Sequence, residues 1–128
     1  MNTLNGRTVR DLNVGVDVIE IRRFRKKPLN NENLSFYHSI FTKKELLYCM
    51  KYSDPYPHIA GIFAAKESLI KCLARPPKMT EIEINHSREG KPQIAIYSRK
   101  ERKMQAQISI THTKSIAIAI AVTNFRLL

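Results

Sequence analysis

The 128 residues suit one domain with a single hydrophobic core, and 43% hydrophobic content excludes simple disorder. A balance of 22 Lys and Arg against 11 Asp and Glu leaves a charge of +11. That excess points to an anionic partner without naming it.

Residues 1–12 are polar and read as a loose N-terminal segment ahead of a domain spanning 13–124, with a short tail at 125–128. Leu12 to Ile21 is rich in β-branched residues and reads as a buried strand, interrupted by Asp17 and Glu20. The basic run Arg22–Lys27 follows and is closed by Pro28, with an Asn-rich polar segment from Asn30 to Ser35. Thr42-Lys43-Lys44-Glu45 has the form of a capping box, which predicts a helix over 43–51. Ser53-Asp54-Pro55-Tyr56-Pro57 opens a longer helix, because proline is tolerated in a first turn. Its apolar residues Ile59, Ile62, Phe63, Leu69, Ile70 and Leu73 recur at helical spacing up to the stop at Arg75-Pro76-Pro77.

The remainder reads as β. Glu81–Ile84 and Gln93–Tyr97 alternate around the turn Glu89-Gly90-Lys91-Pro92. Ala106, Ile108 and Ile110 share one strand face, and the turn Thr111–Lys114 leads into Ile116–Val122, expected to be buried on both faces. The expected fold is α+β, a mostly antiparallel sheet packed on a long helix. No apolar run approaches the roughly 20 residues of a membrane span. Met1–Arg7 lacks the apolar stretch of a secretory signal. Cys49 and Cys72 are too few for a disulfide framework and read as reduced thiols of a cytoplasmic protein.

Four features carry potential chemistry. Asp17 is a carboxylate inside an apolar strand, where burial is costly without a cation or donors. It reads as a metal ligand or base, unless alternation turns it to solvent. Glu67 lies among small residues in Phe63-Ala64-Ala65-Lys66-Glu67-Ser68, with Lys71 one helical turn on. The same spacing also suits an ordinary surface ion pair. His112 sits in Ser109-Ile110-Thr111-His112-Thr113-Lys114, a hairpin tip rich in hydroxyls and cations that suits phosphate or a plain polar turn. The run Arg22–Lys27 is either a solvated face or a dock for an acidic partner, with Phe24 as its packing anchor. A second run, Arg99–Lys103, is loop-like. His38, His58 and His86 show no ligand spacing and read as surface or helix-start residues.

The order of these segments is more specific than any one of them. Gly15-Val16-Asp17-Val18-Ile19-Glu20-Ile21, then Phe63–Ser68 with Lys71, then Gly90-Lys91-Pro92, then Ser109–Thr113 resembles the holo-acyl-carrier-protein synthases. These are small bacterial 4′-phosphopantetheinyl transferases. The resemblance implies that fold, and transfer of phosphopantetheine from coenzyme A to a serine of an acidic acyl carrier protein, releasing adenosine 3′,5′-bisphosphate. It implies Mg²⁺ held by Asp17 and Glu67, with Glu67 also taking the serine proton and Lys71 stabilising the pyrophosphate. By the same resemblance Lys66, Lys91, Pro92, His112 and Thr113 contact coenzyme A, and Arg23 and Arg25 meet the carrier. A homotrimer with sites between subunits is also implied. The pattern departs at Ala74-Arg75-Pro76-Pro77-Lys78, where a glycine-rich loop is usual, and at Ser39 and Ile62, where arginines are usual. A carrier-docking relative with impaired catalysis, and a small basic nucleic-acid-binding module, are the competing readings. Against the latter, the Tyr and Phe residues form no stacking pattern interleaved with cations.

Overall fold

The computed structural model describes residues 3–4, 7–8, 12–97 and 105–124. Within the segment read as loose, β1 (Thr3–Leu4) and β2 (Arg7–Thr8) pair as a small antiparallel ribbon. The central sheet has the order β3-β7-β6, built from β3 (Leu12–Glu20), β6 (Gln105–His112) and β7 (Ile116–Asn124), all antiparallel. A second hairpin pairs β4 (Ile82–His86) with β5 (Pro92–Ile96). Gly90 turns that hairpin with φ of 83°, a backbone region that favours glycine. Residues 99–103 and 125–128, read as a basic loop and a tail, lie outside the described residues.

The helices are α1 (Arg22–Arg25), α2 (Leu34–His38), α3 (Lys43–Cys49) and α4 (Tyr56–Ile70). The Asn-rich stretch, read only as polar, holds a 3-10 turn at Asn31–Asn33 and then α2. Tyr37 of α2 is buried, and its hydroxyl donates to the Lys27 carbonyl at 2.7 Å. The capping box forms as expected: Glu45 N donates to Thr42 Oγ1 at 3.2 Å and Thr42 N to Glu45 Oε1 at 2.8 Å. Pro57 lies in the first turn of α4.

Helix α4 ends at Ile70, short of the expected Leu73, although hydrogen-bonded turns continue to Leu73. Ile59, Ala60, Gly61, Ile62, Ala64, Ala65 and Leu69 are all buried, so the helix is enclosed on most sides rather than along one stripe. Two glycines set its distance from the sheet. A Cβ on Gly15 would sit 1.9 Å from the Ser68 carbonyl oxygen, and one on Gly61 would sit 2.9 Å from Ile110 Cγ2. The helix therefore crosses the sheet with its first half over β6 and its last turns over β3.

The expectation for β7 needs correction. Its alanines, Ala117, Ala119 and Ala121, are buried under α4, where only small side chains fit. Its isoleucines face the other way, and Ile120 is 40% exposed. Opposite Val122, Ile120 and Ile118 in register stand Val14, Val16 and Val18 of β3, each more than half exposed. One face of the sheet is core, and the other is an open apolar surface.

Candidate active site

Alternation along β3 turns Gly15, Asp17 and Ile19 toward α4 and the valines away. Asp17 is thus an inward carboxylate, its side chain only 16% exposed. Lys71, the C-terminal cap of α4, reaches across to it. Lys71 Nζ donates to the Val16 carbonyl at 2.7 Å and to Asp17 Oδ1 at 3.3 Å. Asp17 Oδ2 is buried and has no hydrogen-bond partner among the described residues. A carboxylate oxygen in that state carries an unmet demand for a donor or cation. Glu67 is half-buried and one turn before Lys71, so it faces the same flank of the helix.

The carboxylates expected to hold a metal are two, Asp17 and Glu67, and among the described residues no three His, Cys, Asp or Glu side chains converge as a closed metal site. This fits Mg²⁺, which keeps several waters and takes one or two protein carboxylates together with substrate phosphates.

Lys66 is placed differently from expectation. Its ammonium is fully buried, 2.6 Å from Glu45 Oε1, and donates to the carbonyls of Ile40 at 2.7 Å and Met79 at 2.9 Å. Glu45 Oε2 meanwhile accepts from Ile84 N at 2.7 Å. Burial pushes the Glu45 carboxyl up and the Lys66 ammonium down, and their mutual attraction opposes both shifts. With every polar atom of the pair engaged, Lys66 ties α4 to α3 and has no proton left for a coenzyme phosphate.

On the other flank of α4, a cleft of about 150 Å³ is lined by Tyr48, His58, Ile62, His86, Pro92 and His112, among others. His112 is exposed, and Thr113 Oγ1 accepts from the amides of Ser115 at 3.3 Å and Ile116 at 3.2 Å, closing the turn. Lys91 is exposed on the neighbouring hairpin, where its backbone pairs with Ser87. Asp17, Ala119 and Ile110 lie on one rung of the sheet, and His112 is two residues beyond Ile110. Strand geometry then puts the backbones of Asp17 and His112 roughly 12 Å apart. At that separation Asp17 and His112 do not contact each other within one chain.

The basic run divides. Arg23 is exposed, its guanidinium 5.6 Å from the Phe63 ring centre, and lines an open groove with Val18, Glu20, Arg22 and Lys26. Arg25, expected at the carrier surface, makes two hydrogen bonds of 3.0 and 2.7 Å to Asp54. Phe24 is buried among Phe36, Tyr37, Phe41 and Phe63 and does anchor the run. Both cysteines are free and buried, and burial pushes the Cys49 thiol up to about 12. Among the described residues no helix is long and apolar enough to cross a membrane.

Residues 13–121 match the family model of the 4′-phosphopantetheinyl transferase superfamily. The chain belongs to this family. Among curated relatives, the holo-[acyl-carrier-protein] synthase of Caldanaerobacter subterraneus subsp. tengcongensis is 36% identical over 119 residues, covering 85% of this chain and 91% of the relative. The holo-[acyl-carrier-protein] synthase of Thermodesulfovibrio yellowstonii is 33% identical over 111 residues, covering 85% and 95%. Among solved structures, the Bacillus anthracis holo-(acyl-carrier-protein) synthase in complex with CoA (3′,5′-ADP) superposes with a TM-score of 0.72. It is 26% identical, over 87% of this chain and 94% of that one. The chain is thus an enzyme of the holo-acyl-carrier-protein synthase kind, with the α+β fold of that family.

His58 and His86 line the same cleft as His112, a grouping that sequence reasoning missed. Nothing in their spacing links position 58 to position 86; only the packing of α4 against the β4–β5 hairpin does.

Proposed function

We propose that this chain transfers 4′-phosphopantetheine from coenzyme A to a serine hydroxyl of an acidic acyl carrier protein in the cytoplasm, releasing adenosine 3′,5′-bisphosphate. The observation that carries the reading is Asp17. It is held inward by strand alternation, met by Lys71 on one oxygen and unpartnered on the other among the described residues, within a fold of this family.

Mg²⁺, held by Asp17 and Glu67, would supply neutralisation of the pyrophosphate charge that otherwise repels an incoming hydroxyl. The chain's own groups do the rest. The serine oxygen forms a bond to the phosphorus that carries the pantetheine arm, and the pyrophosphate bridge to the nucleotide breaks. Glu67 accepts the serine proton. Lys71 has three N–H donors, and two of them bind Val16 and Asp17. The third is left for a phosphate oxygen of the substrate or leaving group. Arg23, on the exposed end of α1, meets carboxylates of the carrier.

The homotrimer belongs to the same proposal, with Val14, Val16, Val18 and Ile120 as its apolar interface. An exposed apolar sheet face of this kind is characteristic of an interaction surface. Assembly through it would let the His112 set of one subunit serve the Asp17 set of another, which a single chain keeps apart.

Purified protein incubated with apo carrier, coenzyme A and Mg²⁺ should add the phosphopantetheine mass to the carrier. Folded protein that leaves several apo carriers unmodified would remove the transferase reading in favour of a carrier-docking relative. Light scattering should give three times the chain mass, and a charged substitution at Val16 should lower it.

A further inference from the structure

The cleft beside His112 holds an arrangement that the proposed chemistry has not used. His86 lies flat on Tyr48, with ring centres 3.8 Å apart and planes 4° apart. His58 stacks on Tyr52 at 3.5 Å and 16°. His58 also meets His112 edge to face at 5.7 Å. Tyr48 and Tyr52 share a hydroxyl hydrogen bond of 3.1 Å, which joins both stacks into one unit. One face of His58 and one of His86 is covered by a tyrosine ring, and their nitrogens lie at the ring edge. His86 Nδ1 is buried and has no partner among the described residues.

The cleft's size and lining select its ligand. At about 150 Å³ it is well below the roughly 300–1,000 Å³ of a pocket for a whole small molecule, so it takes one terminal group. Gly61, Ile62 and Ile110 give an apolar floor, and the side chains described as lining it include no carboxylate. The three rings do not converge as metal ligands. The imidazoles are the side chains lining the cleft that can become cationic toward an anion there. We propose that His58 and His86, with His112, form a proton-dependent subsite for the phosphomonoester of coenzyme A, so that the donor is captured more tightly as the medium acidifies. This rests on the transferase reading above.

A neutral imidazole offers one N–H, whereas an imidazolium offers two and a charge, a much stronger partner for a phosphate dianion. In the free protein, burial and then the neighbouring His112 push His58 down, and burial and then His58 push His86 down. Most of the other charged groups around the cleft are cationic. Lys44, Lys51 and Arg88 line the groove on the far side of His86. Lys91 precedes Pro92, the register partner of His86, and Lys114 follows the His112 turn. Glu89 lies in the β4–β5 turn. Asp54 pushes His58 upward, but it is engaged by Arg25. A bound dianion would reverse the balance and draw protons onto the rings.

The test is calorimetric titration of the full chain between pH 8 and pH 6 with coenzyme A and with dephospho-coenzyme A, which lacks the phosphomonoester. Affinity for coenzyme A should rise about tenfold per pH unit for each proton taken up, while dephospho-coenzyme A shows little change. Buffers of different ionisation enthalpy should reveal net proton uptake with coenzyme A alone, a measurement that needs no variant. The double variant H58Q/H86Q should flatten the coenzyme A profile, with its folding checked by circular dichroism. Equal proton uptake for both ligands, or a wild-type profile retained by the folded variant, overturns the subsite. Carrier modification that proceeds normally alongside such a result leaves the transferase reading standing. Absence of coenzyme A binding at every pH removes both.

Discussion

Lys66 and Lys71 sit five residues apart at the end of one helix, and their surroundings could hardly differ more. Five residues turn an α-helix by roughly 140° beyond a full turn, so the two ammonium groups leave on different sides. Lys66 enters the interior and meets Glu45 with both side chains fully buried. Lys71 leaves at the sheet edge, half-exposed, and meets a carboxylate that still has an oxygen to spare. A buried ion pair with every atom satisfied holds elements together. A half-open one with an orphan atom is free to do chemistry.

The sharpest way to break this comparison is at the carboxylates. Asp17→Ala and Glu67→Ala should each lower carrier modification by about 10³-fold, equivalent to ~4 kcal/mol of transition-state stabilisation, with the fold retained. Mass spectrometry of the carrier and a thermal melt check both halves; retained activity removes the residue from the site. Next come the lysines. Lys66→Met should strand the Glu45 charge and cost about 3–5 kcal/mol in urea unfolding. Lys71→Met should cost less than about 1 kcal/mol while suppressing transfer. A reversed ranking would erase the distinction between the two pairs. Gly15→Ala places a methyl group against the Ser68 carbonyl and should cost about 3 kcal/mol or more, or else displace α4 from the sheet and carry Lys71 with it.

Arg23→Glu should raise the carrier KM about tenfold and steepen its salt dependence, with kcat little changed. Arg25→Glu should act mainly through loss of its Asp54 contact. The smallest effect is on pH. His58 and His86 titrate below their ordinary value near 6.5, so the unfolded chain binds protons first as pH falls. Stability is therefore fullest above about pH 7 and declines as pH falls through 6.5 toward the folded-state values. Thermal midpoints between pH 7.5 and 5.5 should show the decline, and coenzyme A should lessen it.

What was legible beforehand follows the range of the interactions involved. The Thr42–Glu45 box is complete within four residues and formed as written. Asp17 stood out because a carboxylate is out of place in Val14–Ile19, and alternation decided which way it faced. Lys66 was misassigned because Glu45 lies 21 positions earlier and no local pattern joins them. The two-sided burial expected for β7 failed for a related reason. Alternating Ile and Ala reads as apolar throughout, yet α4 approaches so closely that it covers only the alanines. Arg25 and the stack of His86 on Tyr48 likewise depend on partners that lie far along the chain.

Strand β3 has one further consequence. It alternates outward valines with inward Gly15, Asp17 and Ile19, so an exposed apolar face and the carboxylate of the proposed site are set apart by a single residue. Inserting or deleting one residue before Asp17 would exchange the faces, sending the carboxylate outside and the valines beneath the helix. The assembly and the chemistry proposed above would then fail in the same event. The strand behaves like a reading frame two residues long, in which point changes are local but a shift of phase is not.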